Sequence, residues 1–186
     1  MSDKLEVLIL DDHAMIRKGI RLTIETSFGI KSISEVSSCN ALLNHLKQYP
    51  VTHLLLDLLV SDGNTLEIIP VIKKLYPRMR ILVFTMQPPE VYAIVLRQYG
   101  IQEYLHKEAS EESTIAILHN FFLGSPRDGL KPGAEIVNPF SKLTPRELEV
   151  LHYVLKGIGT KQIADILGLH ISTVSKRHAG DSKRPG

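Results

Sequence analysis

Five residues spread along this 186-residue chain carry the side chains that phosphoryl chemistry needs: Asp11, Asp12, Asp57, Thr85 and Lys107. Carboxylates brought together repel one another unless a cation intervenes, and an all-oxygen donor set suits Mg2+, which binds through one or two carboxylates and keeps several waters. Such an ion neutralises charge on an incoming phosphoryl group, so that a carboxylate can attack phosphorus as a nucleophile. A lysine on one side and a hydroxyl on the other would hold the remaining phosphoryl oxygens where charge develops. The set contains each of these parts. Singly, each residue has an ordinary reading: a solvated acid at a strand end, a hydroxyl bonded to local backbone, a surface amine. The chemistry depends on a fold that brings them together.

Five apolar runs provide such a fold: Leu5–Leu10, Ile33–Val36, His53–Leu56, Ile81–Phe84 and Ile101–Leu105. Amphipathic stretches follow them, at Ala14–Thr26, Asn40–Lys47, Thr65–Leu75, Glu90–Gln98 and Glu111–Phe122. Short apolar runs separated by helices predict parallel strands buried on both faces and joined by crossovers. The fold class is therefore α/β, a doubly wound five-stranded parallel sheet, in which ligands bind beyond the carboxyl ends of the strands. Asp11-Asp12, Asp57, Thr85 and Lys107 fall at four of those ends, while the second strand offers only Ser37 and Ser38.

Residues 125–141 hold Pro and Gly without apolar periodicity and read as a linker between a domain at 1–124 and a small all-α segment at 142–186. Thr144, Pro145 and Glu147 form a capping-box start for a helix with an apolar stripe of Leu148, Leu151, Val154 and Leu155, ended by Gly157 and Gly159. A second helix, Lys161–Leu167, stops at Gly168, and a third begins near His170 or Ser172. Short helices joined by a glycine-bearing turn predict a helix-turn-helix. The net charge is −2 over residues 1–124 and +4 over the remainder, which directs any anionic partner to the C-terminal part.

With these residues in place the chain resembles the bacterial two-component response regulators of the LuxR/NarL type. Val7-Leu8-Ile9-Leu10-Asp11-Asp12-His13 is similar to the start of a receiver, with the match continuing through Arg17 and Gly19. Leu54-Leu55-Leu56-Asp57-Leu58 resembles the phosphoacceptor strand. Leu143-Thr144-Pro145-Arg146-Glu147-Leu148-Glu149-Val150-Leu151, with Gly157 and Thr160-Lys161-Gln162-Ile163-Ala164, resembles the family's helix-turn-helix. The resemblance implies a flavodoxin-like receiver in which Asp57 is phosphorylated by a sensor histidine kinase. It further implies Mg2+ on Asp12, Asp57 and the Leu59 carbonyl, with Asp11 assisting through water. Thr85 and Tyr104 would be the switch pair, and Lys107 would contact the phosphoryl group. Lys161, Thr173, Ser175, Lys176 and Arg177 become candidates for DNA contacts, and a homodimer is implied.

The chain also departs from the family pattern. Ser61 and Thr65 stand where Pro and Gly are common, Met86 replaces a small residue after Thr85, and Glu103 replaces a Gly. Thr65 is expected to strain a glycine conformation and Met86 to restrict access to Asp57. After His178 the recognition helix gives way to Gly180 and Pro185, as in a truncated or frameshifted version, so DNA binding is expected to be weak or absent. The alternative function is a receiver acting as a phosphoryl sink or protein-interaction partner. A haloacid-dehalogenase-type phosphatase is rejected because Leu59 stands where a second Asp is needed, and no enzyme activity is expected. A single cysteine, Cys39, and no apolar run of roughly 18 residues predict a cytoplasmic chain without a membrane span. The eight histidines show no metal-ligand spacing; His13 reads as a loop residue and Cys39 as a helix-start residue.

Overall fold

The computed structural model describes residues 4–87, 89–101, 103–124, 144, 146–147, 150, 153–154 and 157–175. The first unit is built on five parallel strands: β1 (Val7–Leu10), β2 (Ile33–Val36), β3 (His53–Leu56), β4 (Arg80–Thr85) and β5 (Glu103–His106), in the order β2-β1-β3-β4-β5. Helices α1 (Ala14–Phe28), α2 (Cys39–Gln48), α3 (Ile69–Leu75), α4 (Pro89–Gln98) and α5 (Glu111–Leu123) connect and follow them. Every residue of β1 and β3 is buried, which is why their sequences are apolar without alternation. Val7, Ile9, Leu55, Leu82, Phe84 and Leu105 pack with Ile20 and Ile24 of α1 and with Leu118, Phe121 and Phe122 of α5. Leu8, Leu10, Leu54, Leu56, Ile81 and Val83, one residue out of phase, are buried on the opposite face.

The sheet register decides where the chemistry falls. Leu10 lies opposite both Val36 and Leu56, Leu56 opposite Val83, and Thr85 opposite His106. The residue after each strand is therefore delivered to one edge: Asp57 N–H donates to the Leu10 carbonyl at 3.0 Å, and Lys107 N–H to that of Thr85 at 3.0 Å.

Several boundaries shift from those expected, and two of the shifts have an identifiable cause. The fifth strand starts at Glu103 rather than Ile101, because Gly100 takes φ +74° and Ile101 N–H returns to the Leu96 carbonyl at 2.9 Å. Ile101 thus closes α4 in a Schellman-type cap. The stretch expected as one helix from Thr65 begins as a 3-10 turn, Thr65–Glu67, and α3 starts only at Ile69. Pro70 has no N–H to continue a helix from Leu66 and fits only the first turn of a new one. Between β3 and that turn lies a short antiparallel hairpin, Leu59–Val60 with Gly63–Asn64, which the sequence reading did not anticipate.

In the second unit, Glu147 Oε2 accepts from Thr144 N–H at 2.7 Å and its hydroxyl at 2.8 Å, the expected capping box. Gly157, at φ +74°, ends that helix, with Ile158 N–H donating to the Tyr153 carbonyl. The next helix is Thr160–Leu167, terminated by Gly168 at φ 61°, and residues 171–175 are helical again. Val150, Ile163, Ala164, Leu167 and Val174 form its core, with Tyr153, Val154, Ile158 and Leu169 packed against them. The expected linker, Pro145 and the departure after His178 lie outside the described residues. Among the described residues, no helix is long and apolar enough to cross a membrane.

His53 is a histidine within a buried strand, at the end of the sheet opposite Asp57. Its ring stacks edge-on with Phe121 at 5.0 Å, and Nδ1 lies 2.9 Å from the Thr52 hydroxyl. Burial, reinforced by the charge of Arg80, pushes its pKa down to about 4. Below pH ~6.5 the unfolded chain therefore takes up a proton that the folded chain refuses until about pH 4, so this contribution is complete above pH ~6.5 and is lost as pH falls. Urea unfolding is expected to show a loss on the order of 2 kcal/mol between pH 7 and pH 5 that His53→Leu does not show. Equal pH dependence in the two proteins would contradict a buried neutral imidazole.

Candidate phosphoryl-acceptor site

Asp11, at the end of β1, is fully buried. Its Oδ1 accepts the His13 N–H at 2.8 Å, its Oδ2 lies 2.8 Å from Lys107 Nζ, and its carbonyl accepts from Arg17 Nη1 at 2.5 Å. Arg17 is anchored in turn by Glu35 of β2 at 3.1 Å, which Arg21 also grips at 2.9 Å. These bonds, Arg21 first, hold the Glu35 carboxyl below the usual carboxylate range. The acidic loop is thus tied by its backbone to β2 as well as by its side chains.

Asp57, at the end of β3, is 4% exposed, and Lys107 Nζ sits 2.5 Å from its Oδ2. The Thr85 hydroxyl, itself buried at the end of β4, also bonds to this carboxylate. Leu59 N–H points at Asp57 Oδ1 from 3.4 Å, so the hairpin starts beside the carboxylate. Burial alone would lower the Lys107 pKa, but hydrogen bonds to Asp11 and Asp57 raise it above the ordinary lysine value. Burial drives the Asp57 carboxyl upward, against the pull of Lys107 and Thr85. One ammonium cannot balance three carboxylates.

The remaining imbalance is what a cation would relieve. One ligand atom each from Asp11, Asp12, His13 and Asp57 lies within 4.8 Å of the others. Three of the four are carboxylate oxygens, the donor type that Mg2+ selects, so these residues fit such an ion. His13 is a loop residue, as expected: it directly precedes α1, and its Nδ1 is 2.9 Å from Asp12 Oδ1, which places it beside the acidic pair.

Tyr104 lies opposite Val83 in the sheet, and its hydroxyl donates to the Gln87 carbonyl. Gln87 N–H in turn points at the Thr85 hydroxyl from 3.4 Å, so the expected switch pair is joined through the 85–87 loop. One expectation from the departures needs revision. Thr65 opens the 3-10 turn, a right-handed conformation that suits a β-branched residue, and its hydroxyl donates to the Asp57 carbonyl at 2.7 Å. Met86 is 47% exposed. Glu103 pairs with Arg80 at 2.7 Å, joining the starts of β4 and β5. Cys39 does open α2, where burial and then Asp62 push its thiol up to about 11.

In the second unit Lys161 and Ser175 are exposed and Thr173 is half-buried at the start of the 171–175 helix. Lys176 and Arg177 lie outside the described residues.

Comparison with known proteins agrees with this geometry. The family description "Response regulator receiver domain" matches residues 7–119, and "Bacterial regulatory proteins, luxR family" matches residues 141–179. The nitrate/nitrite response regulator protein NarP of Escherichia coli (strain K12) is 27% identical over 179 residues, covering 91% of this chain and 83% of NarP. The oxygen regulatory protein NreC of Staphylococcus aureus (strain JH9) is 26% identical over 186 residues, covering 91% of this chain and 86% of NreC. Among solved structures, RcsB of Salmonella enterica serovar Typhimurium, bound to promoter rprA in the presence of a BeF3- phosphomimetic, aligns at 25% identity with a TM-score of 0.59, covering 96% of this chain and 89% of RcsB. The isolated receiver domain of that RcsB shares the fold at a TM-score of 0.56 and 24% identity, over 62% of this chain and 86% of that one. With a receiver match over more than half of its length and a luxR-family match behind it, the chain belongs to the response regulators, the two-component transcription regulators that join a receiver to a helix-turn-helix.

Proposed function

We propose that Asp57 accepts a phosphoryl group from a sensor histidine kinase and that this event controls transcription through the helix-turn-helix. The observation that carries the reading is the convergence of Asp11, Asp57, Thr85 and Lys107, brought from four strand ends into mutual contact. An Asp57 carboxylate oxygen attacks phosphorus, the bond from phosphorus to the phosphohistidine nitrogen breaks, and its electron pair leaves with the imidazole. Mg2+, when bound by Asp12, Asp57, the Leu59 carbonyl and, through water, Asp11, supplies charge neutralisation at the phosphoryl oxygens. Phosphorylation removes the carboxylate charge that Lys107 now faces, so its ammonium transfers to a phosphoryl oxygen while keeping Asp11. The Thr85 hydroxyl makes the same exchange, which alters its relation to Gln87 and hence to Tyr104. A pre-existing conformational equilibrium is biased by these changed contacts.

The domain division supporting this reading is 1–124 for the receiver, 125–141 for a linker and 142–186 for the helix-turn-helix. Lys161, Thr173 and Ser175, with Lys176 and Arg177, are the residues for phosphate and base contacts. RcsB has been solved as two dimers bound to two parallel DNAs, and a homodimer is part of the proposal for this cytoplasmic regulator.

Incubation with acetyl phosphate and Mg2+, followed by intact-mass measurement and site mapping, is expected to give one phosphoryl adduct on Asp57 that Asp57→Ala abolishes. No adduct, or one that survives this substitution, would overturn the site assignment. Lys107→Met leaves two buried carboxylates without their cation, and is expected to lower stability in Mg2+-free buffer by roughly 3 kcal/mol. Adding Asp57→Asn to Lys107→Met should recover part of that loss; strict additivity in urea unfolding would contradict the coupling of the two residues.

A further inference from the structure

The segment from Asp57 to Thr65 leaves the end of β3, makes the hairpin and returns to start the 3-10 turn. Its tip is held by the Asp62 carboxylate, which accepts the N–H groups of Cys39 at 2.7 Å and Asn40 at 3.1 Å at the start of α2. Its foot is closed by Thr65, which is 0% exposed. Thr65 N–H donates to the Leu58 carbonyl at 2.9 Å, while Thr65 Oγ1 lies 2.7 Å from the Asp57 carbonyl and 3.2 Å from that of Leu58. The hydroxyl has one proton, and the Leu58 carbonyl already has a donor in the Thr65 N–H. The shorter arm to Asp57 is therefore the principal bond.

We propose that Thr65 is a positioning residue for phosphoryl acceptance: its buried hydroxyl fixes the peptide that follows Asp57, and so fixes the start of the hairpin at Leu59, whose main chain lies beside the Asp57 carboxylate. The inference rests on Asp57 being the phosphoacceptor. Asp57 N–H is held by the Leu10 carbonyl, so rotation of the 57–58 peptide shifts Leu59, whose N–H now faces Asp57 Oδ1, and removes that group from the carboxylate. Small misplacements of a reacting group are costly because the reaction needs near-attack geometry. Asn64 supports the same foot, its Oδ1 accepting the Leu66 N–H at 2.9 Å. Thr65 joins the far side of the hairpin to the residue that reacts.

Thr65→Val keeps the side-chain shape without the hydroxyl, and Thr65→Ser keeps the hydroxyl without the methyl group. With acetyl phosphate and saturating Mg2+, Thr65→Val is expected to accumulate the Asp57 adduct about three- to tenfold more slowly, the range that one neutral hydrogen bond spans. Thr65→Ser is expected to match the wild type, and calorimetric titration with Mg2+ alone should show weaker binding by Thr65→Val than by Thr65→Ser. Thr65→Ala serves as a second hydroxyl-free variant and should behave as Thr65→Val does. Wild-type rates in the hydroxyl-free variants, with or without lower resistance to urea, would overturn the proposal, as would Thr65→Ser proving as slow as Thr65→Val. Absence of an Asp57 adduct in the wild type would instead overturn the phosphoacceptor reading, and this inference with it.

Discussion

Lys107 lies 2.8 Å from Asp11 and 2.5 Å from Asp57, with only 2% of its side chain exposed, and that pairing allows the acidic edge of the sheet to exist. Two like charges about 4 Å apart cost roughly 4 kcal/mol at an effective dielectric of ~20. Three clustered carboxylates would thus consume much of the roughly 5–15 kcal/mol by which a domain is stable. One buried ammonium offsets part of this and leaves a residual negative charge. On the proposed reading, that residual charge would be met by a divalent cation, which would then offset the charge of an incoming phosphoryl group. The functional property is therefore the incompleteness of the structural compensation.

Holding the cluster in place is the work of the sheet. Val36, Leu10, Leu56 and Val83 sit side by side across four strands, so the residues that follow are brought to one edge by register alone. The central strands β1 and β3 are largely apolar because both faces are covered, and the same burial makes register strict, since slipping by one residue would exchange the two faces. Side-chain ties then refine what register supplies. Arg17 links the Asp11 carbonyl to Glu35, and Asp62 links the hairpin tip to α2. Both are bonds to main-chain groups beside the site rather than to its reactive atoms.

The main elements and the five candidate site residues were legible because the central strands β1, β3 and β4 are largely apolar and end at or just before a polar residue, whereas β2 reads Ile-Ser-Glu-Val and β5 Glu-Tyr-Leu-His. The glycine stops at Gly157 and Gly168 and the Thr144–Glu147 capping box were legible for the same kind of reason, being local signals with local causes. The hairpin at Leu59–Asn64 was not, because strands of two residues carry no periodicity. Ile101 was read into the fifth strand because its hydrophobicity cannot distinguish a strand from a helix cap, although Gly100 before it was a signal. Thr65 was read as strain because its composition shows a β-branched residue and not the two carbonyls that its hydroxyl meets. The nearer a property lies to a long-range bond with a main-chain atom, the less the sequence alone reveals it.

The central claim is that Asp57, in its setting of Lys107, Thr85 and the acidic pair, is built to hold a phosphoryl-like group. Beryllofluoride binding followed by 19F NMR tests it without any kinase or turnover. A bound fluoride signal that requires Mg2+ and disappears in Asp57→Ala is the predicted result. A bound signal that persists in Asp57→Ala, or no bound signal in the wild type at saturating Mg2+, would contradict it.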